Sequence, residues 1–480
     1  SVLAGSYFHV LDSYELPTLD LRFRLRPHIP TTDKVALIEI GDDTIARIGR
    51  FPFDRSYHAA LVKALSEAGA KAIVFDLFFS EPQKSDAEFE EAVKKAGNVY
   101  FPLVFELEGK NASGLQCARV QAAENLKEFA TSAKGLGHIN VVPDIDGKYR
   151  RVPAYIRYKD SAYPYLPLKL ACDYLGISQD KVKIVPGRYI DLGAGIRVPL
   201  DEHSLMLVNF SGGWGKSYKH YSYVDILQSY LADKIGEKPN VNLADLKDKV
   251  CIVGLTALGT VDLHPTPFDS LYPAVGMHAE TFNSIVQNKF VMRLSRAANL
   301  AILIALCVLV AVSVLLTKPL RGAFILFSVI ALYVLGCMLI FNAYGVWVDM
   351  LYPLLVVAVL HITVTLYKYV REWKTRLIME NELGIAKKIQ ESFLPKQMPS
   401  VPGIEVSVAM LTARHIGGDL YDFVAFDDGR LGVMIGDVSG KGVPAALFMA
   451  MAVGSFRSLA VPAAITSDVL ANLNTKLVKE

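Results

Sequence analysis

Cysteine is scarce in this chain: five in 480 residues, with neither disulfide-framework nor zinc-site spacing. Cys307 and Cys337 fall inside long apolar runs, leaving the odd number Cys117, Cys172 and Cys251 outside them. A disulfide-stapled scaffold and a thiolate metal site are thereby excluded. An excess of one charge is also missing: 50 Lys and Arg balance 48 Asp and Glu to a net +2, which gives no electrostatic case for nucleic-acid binding. No cleavable leader opens the chain, and SVLAGSYFHVL at 1–11 is too short to span a bilayer. A nucleotide-binding loop is absent as well. Gly436 to Gly442 superficially suggests a phosphate cradle, but only three residues separate Gly436 from Gly440, and Gly442 stands after Lys441 where a Ser or Thr is needed. Nucleotide cyclase and histidine kinase motifs are likewise missing.

What the chain has in abundance is apolar surface. At 52% hydrophobic content and a mean hydropathy of +0.30, it is too long for one domain and too apolar to be wholly soluble. Residues 297–317, 323–341 and 350–367 form uncharged runs of about 20 residues, the length that crosses hydrocarbon. Asn299, Cys337 and His361 within them read as packing between helices. Tyr333, Tyr344, Trp347, Tyr352 and Tyr367 fall near the ends, as an aromatic belt would.

Orientation follows from the flanking charges. Lys318 and Arg321 lie between the first two runs, and Lys368, Arg371, Lys374 and Arg376 follow the third, whereas 342–349 has no Lys or Arg. The positive-inside rule therefore places the C-terminal segment in the cytoplasm and residues 1–292 outside, with Arg293 and Arg296 opposing weakly. A translocated N-terminal domain implies a further membrane helix upstream of Ser1.

The outer region reads as one α/β domain. Strands are predicted at 35–40, 72–79, 99–105, 154–158, 205–210 and 250–255, and helices at 54–69, 86–95, 165–175, 223–232 and 277–287. The run 72–79 does not alternate, as expected of a sheet covered on both faces. Candidate sensing features are Asp76 at a strand end, the SGGWG loop at 211–215, and Asp262 with His264; a plain turn, a flexible glycine loop and a cap explain them equally well.

Chemistry concentrates at 415–446, HIGGDLYDFVAFDDGRLGVMIGDVSGKGVPAA. Asp419 and Asp437 each follow glycine where short apolar strands meet loops. Magnesium and manganese take carboxylate, carbonyl and water oxygens, so well-separated aspartates with glycine neighbours suit such an ion. The bland reading is that both aspartates merely make turns. Asp422 and Asp427 read as solvated loop carboxylates, and Lys441 as a residue that positions its turn.

The stretches AKKIQESFLP at 386–395, GGDLYDF at 417–423 and IGDVSGKGVPAALFMA at 435–450 resemble the PPM-type (type 2C) serine/threonine phosphatases of the stage II sporulation protein E and sigma-factor-regulator branch. The resemblance implies two Mn or Mg ions held by Asp419, Asp437 and the backbone carbonyl of Val438. It also implies metal-assisted hydrolysis of a phosphoserine or phosphothreonine without a covalent phosphoenzyme. The implied partner is a phosphorylated cytoplasmic regulator, such as an anti-sigma-factor antagonist. Family members carry further metal-binding aspartates in the second half of the domain. Residues 395–480 correspond to its first half, so these 480 residues are expected to turn over little or not at all.

Residues 11–27 (LDSYELPTLDLRFRLRP), 51–82 and 254–286 are similar to the extracytoplasmic CHASE sensor domain of the second type, whose ligands are mostly unknown. The combined expectation is a multidomain chain: an α/β sensor domain (1–292), a three-helix membrane region (293–367), a cytoplasmic signalling helix (368–394) and the first part of an α/β phosphatase domain (395–480). It describes a multi-pass receptor of the bacterial cytoplasmic membrane whose sensor controls the phosphatase. The alternative is a non-catalytic receptor using the phosphatase fold to bind a partner. Leu377, Ile378, Ile385, Ile389 and Phe393 form an imperfect apolar stripe on the signalling helix. A parallel homodimeric coil would bury it, as would packing on the phosphatase domain.

Overall fold

The computed structural model describes residues 11–110, 114–259, 262–411 and 416–479. The opening segment 1–10 and His415 lie outside the described residues. The chain divides into two compact units, Ser1–His361 and Ile362–Glu480.

The first unit is built on a nine-stranded sheet. Its strands are β1 (Val35–Ile40), β2 (Ala72–Phe75), β3 (Val99–Lys110), β4 (Gln116–Ala123), β5 (Gly135–His138), β6 (Tyr155–Tyr158), β7 (Ser161–Pro164), β8 (Lys219–Ser222) and β9 (Val250–Leu255). They run in the order β8-β1-β9-β2-β3-β4-β6-β7, with β5 pairing to β3. From β8 through β3, and from β3 to β5, every pairing is parallel. The longer helices that accompany the sheet are α1 (Asp12–Leu25), α2 (Arg55–Glu67), α3 (Asp86–Ala96), α4 (Leu166–Tyr174), α5 (Tyr223–Lys234) and α6 (Ala274–Val286).

The absence of alternation in β1, β2 and β9 follows from two separate cores. Ala36, Ile38, Ile73, Phe75 and Val253 face α2, α3 and α5, while Val35, Leu37, Val74 and Ile252 face α1, α4 and α6. Each fully buried Leu, Ile or Phe contributes about 1.5–3 kcal/mol, so a strand apolar on both faces is stable only between two helical layers. Helix α2 begins where Asp54 accepts a hydrogen bond from Ser56 N at 2.9 Å.

Two strands are shorter than the apolar runs suggest. The run 72–79 stops pairing after Phe75, because Phe79 turns into an aromatic cluster with Phe75, Phe89, Phe101 and Phe129. The run 205–210 is strand only over Leu205–Leu207, in a separate three-stranded sheet. A short ribbon, β10 (Leu263–His264) with β11 (Tyr272–Pro273), leads into α6.

Among the described residues, three helices are long and apolar enough to cross a membrane: α7 (Arg296–Leu316), α8 (Pro319–Tyr344) and α9 (Leu351–Phe393). The third candidate span and the charged signalling stretch form one helix of 43 residues. Gly345 ends α8 at φ +67°, and a Cβ there would lie 2.3 Å from the Phe290 carbonyl oxygen, so only glycine fits.

The loop between α8 and α9 is wedged into the α/β domain. Strand β12 (Met292–Arg293) pairs in parallel with β13 (Val346–Trp347), and Trp347 is fully buried. Arg293 stacks over the Trp347 ring at 4.4 Å and bridges Asp12 at 2.7 Å and Asp349 at 2.8 Å. The buried Glu15 carboxylate of α1 accepts hydrogen bonds from Met350 N (2.9 Å) and Leu351 N (2.6 Å), capping α9 from outside that helix. Arg22 donates to the Val348 carbonyl at 2.7 Å. Arg293, which counts against the orientation as a bare charge, is thus committed to an ion-pair network. Asn299 accepts from Asp349 N at 3.3 Å, tying α7 to the same loop.

In the second unit, β14 (Asp419–Ala425) and β15 (Leu431–Asp437) form an antiparallel hairpin followed by α10 (Val443–Leu459) and α11 (Thr466–Lys479). Leu420, Met449, Ala452 and Val453 make its small core. Leu377, Ile378, Ile385, Ile389 and Phe393 are all exposed, so the signalling-helix stripe is not covered by this unit.

Candidate functional sites

The hairpin's register decides where its acids lie. Ala425 pairs with Leu431 next to the turn, Tyr421 with Ile435, and at the open end Asp419 stands directly opposite Asp437. Opposed residues of an antiparallel pair share a face with Cα atoms about 4.5–5.5 Å apart, so two carboxylates 18 positions apart in sequence become neighbours. Both are exposed, and neither has an ion-pair partner among the described residues.

Glycine makes the approach possible. A Cβ on Gly418 would lie 2.4 Å from the Val438 carbonyl oxygen and 3.3 Å from Asp437 Oδ1, while Val438 N donates to the Gly418 carbonyl at 3.2 Å. The Asp419 and Asp437 carboxylates and the Val438 carbonyl are therefore brought to one end of the hairpin, the oxygen donor set a hard divalent cation takes. Among the described residues no third His, Cys, Asp or Glu joins them. The donors present fit part of such a site.

Asp422 departs from expectation. It is a strand residue on the face opposite Asp419, 1% exposed, and bonded by Arg457 of α10 at 2.7 and 3.1 Å. Its inward position, set by the two-residue strand period, requires a charged partner. Asp427 and Lys441 are exposed, Asp427 in the hairpin turn.

Two residues that sequence reasoning did not single out acquire a place here. Gln390, near the end of α9 and 5% exposed, clasps the backbone of Gly417: its Nε2 donates to the carbonyl at 2.6 Å and its Oε1 accepts from the amide at 3.3 Å. Arg457 also donates to the Phe393 carbonyl at 2.7 Å. The last turns of α9 are thus joined to the loop that carries Asp419. The only sequence signal was the position of Gln390 within AKKIQESFLP.

In the first unit the candidate sensing residues converge on α6. Asp76 follows β2, is 6% exposed, and lies 3.2 Å from His278 Nε2; His278 Nδ1 in turn meets the Tyr165 hydroxyl at 2.5 Å. Asp262 precedes β10 and His264 ends it, with the His264 ring stacked on Tyr149 at 4.2 Å. The SGGWG loop is pinned rather than free. Ser211 donates twice to Glu280 (3.0 and 2.6 Å), and Trp214 N donates to Asp269 at 2.8 Å. Burial pushes the Glu280 carboxyl up to about 7 against these donors. The cysteines are all free, as their spacing suggested.

With that geometry in hand, comparison with known proteins gives two family matches. The CHASE2 domain matches residues 1–315, and Stage II sporulation protein E (SpoIIE) matches residues 427–480, which include Asp437 but not Asp419. The chain is similar to Protein IcfG of Synechocystis sp. (strain ATCC 27184 / PCC 6803 / Kazusa), 41% identical over 78 residues, 16% of this chain and 12% of that protein. It is also similar to Phosphoserine phosphatase RsbU of Bacillus subtilis (strain 168), 34% identical over 96 residues, 20% of this chain and 28% of that protein. The chain thus spans well under two thirds of either relative. No solved structure matches it.

Proposed function

Because the chain belongs to the CHASE2 domain family, we propose that it is a membrane signalling receptor whose α/β sensor domain lies outside the cytoplasmic membrane and controls a cytoplasmic phosphoprotein phosphatase. The observation that carries the phosphatase reading is the register that sets Asp419 opposite Asp437, with Gly418 pressed against the Val438 carbonyl. Residues 427–480 match the SpoIIE family, and the chain is similar over 96 residues to a phosphoserine phosphatase.

In this reading Asp419, Asp437 and the Val438 carbonyl would hold a pair of divalent ions, Mn or Mg. When bound, such ions lower the pKa of a water and offset charge on a phosphoryl group in flight. The chain's own contribution is positional. The hairpin register fixes the two carboxylates, and Gly418 lets the carbonyl approach. Gln390 holds the Gly417 backbone, linking the carboxylates to α9. The substrate is a phosphoserine or phosphothreonine of a cytoplasmic regulator protein.

The first turn of α9 is capped by Glu15, and Gln390 lies near the end of the same helix. The proposed signal passes from this cap along one continuous helix of 43 residues. Signal transfer requires that two arrangements of α9 differ in how well they seat the Gly417 loop.

Titrating the protein with Mn2+ by calorimetry or electron paramagnetic resonance tests the site. Binding that is lost in both Asp419→Asn and Asp437→Asn supports it; binding unaffected by both rejects these residues as ligands.

A further inference from the structure

A cleft of about 750 Å³ opens in the first unit beside the start of α7. Asp12 and Leu16 of α1 form part of its wall, as do residues 292–296, where β12 runs into α7. Leu16, Leu200, Leu205, Leu207 and Val291 line it and are each at most 9% exposed. Apolar walls with a few placed polar groups, in a volume of about 300–1,000 Å³, are the form of a small-molecule site.

The ion pairs around the cleft decide the charge of its ligand. Lys148 reaches Asp20 at 2.6 Å, and Arg150 holds Asp20, Asp144 and Asp146 at 2.7–2.8 Å. Arg151 bonds Asp144 as well, whereas its Nε stands 3.2 Å from Asp201 without a hydrogen bond to it. Four acids thus share three cations, and Asp201 is the one at the end of the chain. Its Oδ1 accepts from the amides of His203 (2.8 Å) and Leu205 (2.9 Å). Burial raises the Asp201 carboxyl although Arg151 and those amides pull it down, as expected of an acid whose charge is incompletely balanced. The next residue, Glu202, also lines the cleft; it pairs with Arg296 and lies 3.6 Å from the His203 ring. Glu202 and Arg296 are 48% and 32% exposed, and ion pairs so placed are worth about 0–1 kcal/mol.

An entering cation therefore finds at Asp201 a charge the protein does not balance, and it displaces Arg296 from Glu202 toward water at little cost. An entering carboxylate meets both acids and is repelled. A metal ion takes oxygen ligands on every side, and among the described residues no three His, Cys, Asp or Glu are placed to hold one.

We propose that this cleft binds a small organic cation, an ammonium or guanidinium group on an apolar body, with Asp201 and Glu202 taking the charge and the leucine walls the body. The inference names a ligand class for the receptor reading and rests on that reading for its role in sensing. The cleft adjoins the elements that seat α9. Met292 and Arg293 in its lining form β12, which pairs with the strand of the buried Trp347. Leu16 follows Glu15, the residue that caps α9.

The test is calorimetric titration of the full chain in lipid nanodiscs, with empty nanodiscs subtracted. Three probes share one carbon skeleton: phenethylammonium, phenethyl alcohol and hydrocinnamate. Phenethylammonium should saturate one site and bind about tenfold or more tighter than the alcohol, and hydrocinnamate should show no saturable binding. Its affinity should fall about fivefold in Glu202→Gln and about tenfold in Asp201→Asn, which keeps an acceptor for the two amides. In Arg296→Gln it should rise, because a competitor for Glu202 is gone. A merely structural role would not move Glu202→Gln and Arg296→Gln in opposite directions, and that pair decides the matter if Asp201→Asn fails to fold. No saturable phenethylammonium binding up to about 10 mM overturns the proposal, as does equal affinity for the ammonium and the alcohol. So does stoichiometric Ca2+ binding that disappears in Glu202→Gln, which would make this a metal site. Saturating phenethylammonium should also change amide exchange over 345–351 in wild type, and an unchanged pattern refutes the link to α9. None of these readouts involves phosphatase activity, so failure here leaves the phosphatase reading standing, and failure there leaves this site testable.

Discussion

Removing the Glu15 carboxylate should uncouple the sensor from the helix below it. Glu15 is fully buried and accepts from Met350 N, Leu351 N and Trp347 Nε1, while Arg22 NH2 lies 3.8 Å away, itself 0% exposed. In Glu15→Ala the buried Trp347 and Met350 donors lose their acceptor, at about 1–3 kcal/mol each. Arg22 loses its nearest carboxylate, and breaking a buried pair from one side costs about 3–5 kcal/mol. These costs overlap, since the same atoms enter each. The expected loss is about 3–5 kcal/mol for unfolding in detergent, and Glu15→Gln, which keeps an acceptor oxygen, should lose less than half of that. The local assay is hydrogen exchange by mass spectrometry on peptides covering 345–352. Protection of the Met350 and Leu351 amides should fall in Glu15→Ala while that of β1 and β9 is retained. Unchanged protection there, with a stability change under about 0.5 kcal/mol, would refute the claim that Glu15 caps α9.

Gly418→Ala should weaken Mn2+ binding by about tenfold or more without unfolding the hairpin, because the new methyl meets a backbone oxygen that cannot swing away; calorimetry measures it, and an unchanged affinity contradicts the cradle. Gln390→Ala should also lower Mn2+ affinity while Gln390→Glu recovers less than wild type, since only the amide both donates to and accepts from Gly417; circular dichroism confirms that helix content is retained. Arg457→Ala should cost about 1–2 kcal/mol in chemical denaturation, discounted because the arginine is 45% exposed although Asp422 is 1% exposed. Glu280 gives a pH prediction. Its folded pKa of about 7 lies above the unfolded 4.5, so the native state binds more protons between those values and stability falls as pH rises through that window. Glu280→Gln should flatten that part of the stability profile.

The sequence made the central sheet legible because β2 and β9 carry no polar residue and β1 only Glu39, and only a doubly covered sheet accommodates strands without alternation. It also brought out Asp419 and Asp437, whose glycine neighbours betray a close approach. It did not reveal that these aspartates face each other, which depends on a hairpin register set at the far end by a turn at 426–430. Asp422 was misjudged for a related reason: strand period turns it inward, and the compensating Arg457 lies 35 residues on. The sequence led Trp347 to be read as a belt residue and Arg293 as a bare flanking charge, and Glu15 not to be singled out, because their partners lie 56 to 336 positions away; Trp347 is instead buried in the α/β core. Nor did a single aspartate or histidine foretell the cluster on α6. Asp76, Tyr165 and His278 come from distant parts of the chain, and only the fold brings them within reach.

The most direct test of the account is Mn-dependent release of phosphate from a phosphoserine peptide by the full-length gene product, beside Asp437→Asn. The account predicts release that falls more than about a hundredfold in the variant, beyond the loss typical of groups that only support a metal ligand. Equal release by both proteins, or none from a folded wild type that binds Mn2+, would contradict it.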